Sequence, residues 1–138
     1  MINRCRKSGL RAFITTPTPS VTSMNGVEVT GQRPLEFVTE ADAVLIGSGV
    51  RTRDVIADDR LLSLLPLDPS RQLIGSQCSG ALVLARLGLL GTMPACTDLT
   101  SRPYVEAYGS PCWTRRSTPR ATSPPPAAAW RHSTWRPG

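Results

Sequence analysis

An α/β layered domain with a mostly parallel sheet is the fold class that this 138-residue sequence predicts. Two observations carry the prediction. Short apolar runs alternate with helix-like runs along most of the chain. Within that alternation, the string Gly75-Ser76-Gln77-Cys78-Ser79-Gly80 joins an apolar run, Gln72-Leu73-Ile74, to an apolar helix beginning Ala81-Leu82-Val83-Leu84-Ala85. A strand that turns sharply into a helix, with a nucleophile type at the turn and small residues beside it, is the layout of a nucleophile elbow.

Taken in order, residues 10–16 (L-R-A-F-I-T-T) read as a strand rich in β-formers. Asn25-Gly26 marks a tight turn, followed by a short strand Val27-Glu28-Val29. The run Ala41-Asp42-Ala43-Val44-Leu45-Ile46 ends in Gly47-Ser48-Gly49, which predicts a buried parallel strand and a tight loop. Asp58-Asp59-Arg60 starts a helix through Leu61-Leu62-Ser63-Leu64-Leu65, stopped by Pro66. A turn at Asp68-Pro69-Ser70 leads to the strand before Cys78. The helix after Cys78 reaches about Leu87, where Gly88 and Gly91 break it, and Ala95-Cys96-Thr97 reads as a further short strand. In parallel α/β sheets, sites lie at the carboxyl ends of strands, and this places Cys78 and the Gly47-Ser48-Gly49 loop together.

Length bounds the chain to one domain. No apolar stretch is long enough to span a bilayer and no signal-peptide pattern is present, so the sequence predicts no membrane partner. Four cysteines at irregular spacing, without a C-x-x-C pair, fit a reducing cytoplasm better than a disulfide framework or zinc site. The net charge of +6 suggests nucleic acid until it is located: five arginines and no acid fall in residues 110–138, leaving the first 109 at +1. A nucleic-acid partner is therefore not expected. The same 29 residues lack Val, Ile and Leu and hold six of the 13 prolines, all three tryptophans and the single histidine, His132. That composition predicts a disordered Pro/Arg-rich tail from 110 to 138 behind a domain of residues 1–109.

At a helix N-terminus, orphan N–H groups and the helix dipole would favour the Cys78 thiolate. The bland alternative is a small buried residue at a crowded turn. Asp98 is a second candidate, set against an ordinary capping role. Gly47, Ser48, Gly49 and Ser79 are candidates for backbone donors to a developing oxyanion, while for the two glycines the alternative is a turn that only needs φ > 0. Cys5, Cys96 and Cys112 read as incidental.

The block Q-C-S-G-A-L-V-L-A-R-L-G-L-L, Gln77 to Leu90, resembles the ThiJ/PfpI superfamily, the class I glutamine amidotransferase-like group, and within it the isonitrile-hydratase-like branch. The resemblance runs from about Leu10 to Gly109; Ala41 to Arg53 is similar to the segment that carries a P-G-G loop in relatives, and Ala95-Cys96-Thr97-Asp98 to their A-T-T-H. It implies a flavodoxin-like three-layer sandwich, often dimeric, with cofactor-free, metal-free chemistry at the elbow cysteine. In hydratase-like relatives the thiolate attacks an electrophilic carbon, a first-strand carboxylate assists proton transfer, and backbone N–H groups stabilise charge.

Set against that pattern, the chain reads as incomplete at both ends. The first strand and its carboxylate have no counterpart after Met1, Asp98 stands where many relatives carry His, and the closing strand and helix are missing after Gly109. Reading each codon one base earlier, residues 109–114 permit V-x-V-L-D and residues 117–130 permit F-H-A-x-G-N-V-A-T-A-G-G-C-L, which resembles the missing elements. The expectation is a frameshift product from about residue 110. Stop codons in the shifted frame, or a shifted reading that fails to give that string, would sink it. The functional expectation is ancestral hydration of, or addition to, a small electrophile by a cysteine-dependent lyase, impaired here. Two other readings stand beside it: the ligand-sensing domain of an AraC-type transcriptional regulator, and an inactive fragment. The expected partners are a small-molecule ligand and a second copy of the chain.

Overall fold

The computed structural model describes residues 9–113. Cys5, His132 and the expected tail from residue 114 onward lie outside them. No helix among the described residues is long and apolar enough to cross a membrane.

The chain enters through residues 10–16, which do not form the expected strand. Thr15 alone makes a bridge, to Arg33, with Arg33 N–H donating to Ile14 O at 2.9 Å and Thr16 N–H to Arg33 O at 3.2 Å. The partner segment turns at once into a 3-10 helix, Leu35–Glu40, so the Leu35 N–H is drawn away from Thr16 O and β-propensity finds no second rung. Asn25-Gly26 turns a hairpin, as its sequence predicts. Strands β1 (Ser20–Thr22) and β2 (Glu28–Thr30) pair antiparallel across it, one residue beyond the expected register for the second strand.

The strand β3 (Ala43–Ile46) and β4 (Leu73–Ser76) pair in parallel, Ala43 opposite Leu73 through Ile46 opposite Ser76. Between them the chain crosses over through α1 (Thr52–Ala57) and α2 (Asp59–Ser63). Asp58 caps α2, its Oδ1 accepting from Leu61 N–H at 2.9 Å. After β4, a 3-10 turn (Cys78–Gly80) leads into α3 (Ala81–Arg86). Helix α3 ends where Gly88 takes φ +71, the left-handed C′ position that glycine tolerates without a Cβ penalty. Leu89 N–H reaches back to Leu84 O at 2.9 Å and Gly88 N–H to Ala85 O at 3.0 Å.

Helix α3 is the centre of the core. Its residues 81–85 are all buried, Leu82 completely, because α1, α4 (Arg102–Ala107) and β4 surround it. Ile56 of α1, Leu62 of α2 and Val105 of α4 pack into this cluster, joined by Ile46 and Ile74 from the helix-covered face of the parallel pair. Burying Leu82 alone is worth about 1.5–3 kcal/mol. The apolar run before Gly47 predicts a strand buried on both faces. Among the described residues only one face is covered, and on the other Leu45 and Leu73 are 69% and 76% exposed.

Helices α1 and α4 have no counterpart in the expectations above. Each is six residues, too short for a 3.6-residue period to show. The Ala95 region forms a single parallel bridge to Cys112 in place of a strand. Ala95 N–H donates to Pro111 O at 2.8 Å and Trp113 N–H to Ala95 O at 2.9 Å, while Ser110 is buried. Residues 110–113 of the compositionally distinct segment are thus docked on the domain.

Candidate functional site

The carboxyl ends of β3 and β4 meet at the start of α3, and a glycine sets how closely. A Cβ on Gly80 would lie 2.5 Å from Ile46 O and 2.8 Å from Gly47 O. Any side chain there would push the helix off the strand end. This contact fixes the turn carrying Cys78 beside the Gly47-Ser48-Gly49 loop.

Cys78 has φ +49, the sole positive φ on a non-glycine among the described residues. A left-handed conformation costs an L-residue roughly 1–2 kcal/mol. That is the strained geometry an elbow predicts, and it lifts the side chain out of the core. Cys78 is an exposed free thiol, which sets aside the buried, space-filling alternative. Its Sγ donates to Asp98 Oδ2 at 3.5 Å.

Asp98 combines two roles that the sequence offers as alternatives. Its Oδ1 accepts from the N–H groups of Thr100 and Ser101, both at 2.9 Å, and from the Thr100 hydroxyl, so it organises the turn into α4. Its Oδ2 faces the sulfur. The Thr100 hydroxyl first, and then Ser101, hold the carboxyl far below its ordinary value of 3.8, so Asp98 stays ionised.

Ser79 closes the site from beneath. Its Oγ accepts the Gly49 N–H at 3.1 Å and lies 3.1 Å from Thr52 Oγ1, which donates to Gly49 O at 2.6 Å. The Gly49 amide is therefore taken up inside the protein and is not a free oxyanion donor in this arrangement. Gly47 is not among the residues lining the cleft; its carbonyl, with that of Ile46, packs on Gly80. Neither glycine has positive φ, so neither is there for a left-handed turn. Ser48 and Ser79 line the cleft, and among the described residues their amides donate to no acceptor, that of Ser79 being an orphan of the first helical turn.

The resulting open cleft, about 600 Å³, brings together Ser48, Gly49, Cys78, Ser79 and Asp98. Several contributors escape sequence reading, three of them with distinct positions. Thr52 is buried and holds the loop, Met24 reaches the rim from the β1–β2 turn, and Arg53 enters from α1. The helix-start signal at Ser101-Arg102-Pro103 could have revealed why Asp98 is fixed in place.

No protein-family model and no curated protein matches the chain. Among solved structures, the chain is similar to a ThiJ/PfpI family protein from Pseudomonas syringae, with a TM-score of 0.60 and 22% sequence identity over 75% of this chain. The chain spans 45% of the length of that structure. With the parallel β3–β4 pair, the crossover helices and the elbow at Cys78, the chain has the flavodoxin-like α/β fold of ThiJ/PfpI proteins.

Proposed function

We propose that the chain belongs to the ThiJ/PfpI superfamily, in its isonitrile-hydratase-like branch, and that Cys78 adds to a small electrophilic carbon without a cofactor. One observation carries this reading: an exposed thiol on a left-handed turn, with its sulfur 3.5 Å from an ionised carboxylate in an open cleft.

With an isonitrile as electrophile, the sulfur bonds to the terminal carbon and that carbon takes a proton, giving a thioimidate. Water adds to the same carbon, the carbon–sulfur bond breaks, and the thiol is regenerated with release of an N-substituted formamide. The Ser48 and Ser79 amides are suited to hold the negative charge that develops. Asp98 is poorly suited to take the thiol proton. A carboxylate held so low is a weak base. Its role is to orient Sγ through the contact at 3.5 Å.

Incubation of the full chain with an aryl isonitrile, followed by chromatography, should show formamide that Cys78→Ser abolishes. No formamide above the buffer rate would overturn the lyase reading. Saturable ligand binding without turnover would instead favour a sensor domain.

A further inference from the structure

We infer that the Cys78 cleft takes electrophiles that carry a carboxylate, and that Arg53 is the residue that recognises it; this rests on the proposed reactivity of Cys78. Arg53 lines the same cleft as Cys78. Its guanidinium lies over the Tyr104 ring, 5.4 Å from the centroid, and one N–H₂ group donates to the Tyr104 hydroxyl at 3.0 Å. The aromatic face and the hydroxyl together hold the planar fork in place, and one bond leaves most of its five donors unused.

Its neighbours are differently employed. Arg51 pairs with Asp54 at 2.9 Å and Arg102 with Glu106 at 2.8 Å. The carboxylate next to Arg53 in sequence is thus taken by another arginine, and among the described residues Arg53 has no acidic partner. A positioned guanidinium without a counter-ion, at the rim of a cleft that holds a nucleophile, is complementary to a carboxylate, which it can grip through two parallel N–H···O bonds. Asp98 sharpens the orientation. Its charge at the sulfur end repels an anion there, so the carboxylate goes to Arg53 and the electrophilic carbon to Cys78.

Two alkylating agents that differ only in charge test this. Iodoacetate and iodoacetamide both place a CH₂ carbon on Sγ; the carbon–iodine bond breaks, iodide leaves with the bonding pair, and the thiol proton goes to solvent. The rate of each at Cys78 is read by peptide mass spectrometry on the full chain, so that the other cysteines do not contribute. The readout is the iodoacetate-to-iodoacetamide ratio at Cys78 relative to the same ratio for glutathione. An excess of about three- to fivefold is expected, the scale of an exposed ion pair. It should disappear in Arg53→Gln and persist in part in Arg53→Lys. Reaction of Cys78 with both agents at the glutathione ratio, or a ratio unmoved by Arg53→Gln, overturns the Arg53 inference and leaves the Cys78 reading standing. Failure of both agents to modify Cys78 overturns both.

Discussion

Ser79 Oγ accepts the amide proton of Gly49 at 3.1 Å across thirty residues of sequence, tying the loop after β3 to the turn that carries Cys78. Thr52 Oγ1, 3.1 Å from the same oxygen, completes a small buried network. Ser79→Ala removes the oxygen while keeping the shape, and leaves the Gly49 N–H unsatisfied near a buried Thr52. Unfolding free energy in urea should fall by about 1–3 kcal/mol, the cost of orphaning a partly buried donor. A change within experimental error would mean that the network does not hold the loop.

The positive φ of Cys78 sets stability against reactivity at one position. Cys78→Gly and Cys78→Ala both remove the thiol, but only glycine adopts φ +49 without a Cβ penalty. The glycine variant should therefore be more stable than the alanine variant by about 1 kcal/mol, the cost of one strained residue. Parallel denaturant melts decide it. Equal stabilities would mean that the elbow is unstrained.

Two glycines at the site make opposite predictions. Gly80→Ala places a Cβ against the Ile46 and Gly47 carbonyl oxygens, backbone atoms that cannot rotate away. About 1–3 kcal/mol of stability should be lost, with Cys78 displaced from Asp98. Gly49→Ala meets nothing within 4 Å and has no positive φ to strain, so its effect should stay within about 0.5 kcal/mol. Similar losses at both positions would show that the close approach at Gly80 does not hold the helix to the strand end.

The parts of this site legible in sequence are those fixed by local chemistry. An apolar run, a small-residue turn and a buried helix place Cys78 correctly, and Asp58, Gly26 and Gly88 mark turns and caps where they occur. What escaped depends on partners distant in sequence. The β-formers at residues 10–16 gain only the Thr15–Arg33 bridge because the partner segment turns into a 3-10 helix at Leu35, and Leu45 reads as part of a buried strand although only the opposite face of that strand is packed. Sequence offers Gly49 as a free donor because nothing local announces an acceptor thirty residues away. Arg53 became visible only through Tyr104, fifty-one residues on.

Asp98→Asn separates the two oxygens of that side chain. Asparagine keeps an acceptor for the Thr100 and Ser101 amides, so the turn into α4 should survive, while the negative charge beside Sγ is lost. Without that charge the sulfur is no longer held by a carboxylate acceptor, and Cys78 should be alkylated by iodoacetamide faster at pH 7 than in the parent chain. Stability should respond in acid. Asp98 is held below its ordinary value of 3.8 in the folded chain, so the unfolded chain binds the proton first as pH falls. Its contribution is therefore complete above about pH 5 and is lost progressively as pH drops through 4 and below. Exposure of the carboxylate to solvent keeps the effect modest. Denaturant midpoints between pH 6 and pH 2.5 should accordingly fall less steeply for Asp98→Asn than for the parent. Equal acid slopes, with equal alkylation rates, would mean that the Asp98 charge acts on neither the fold nor the sulfur.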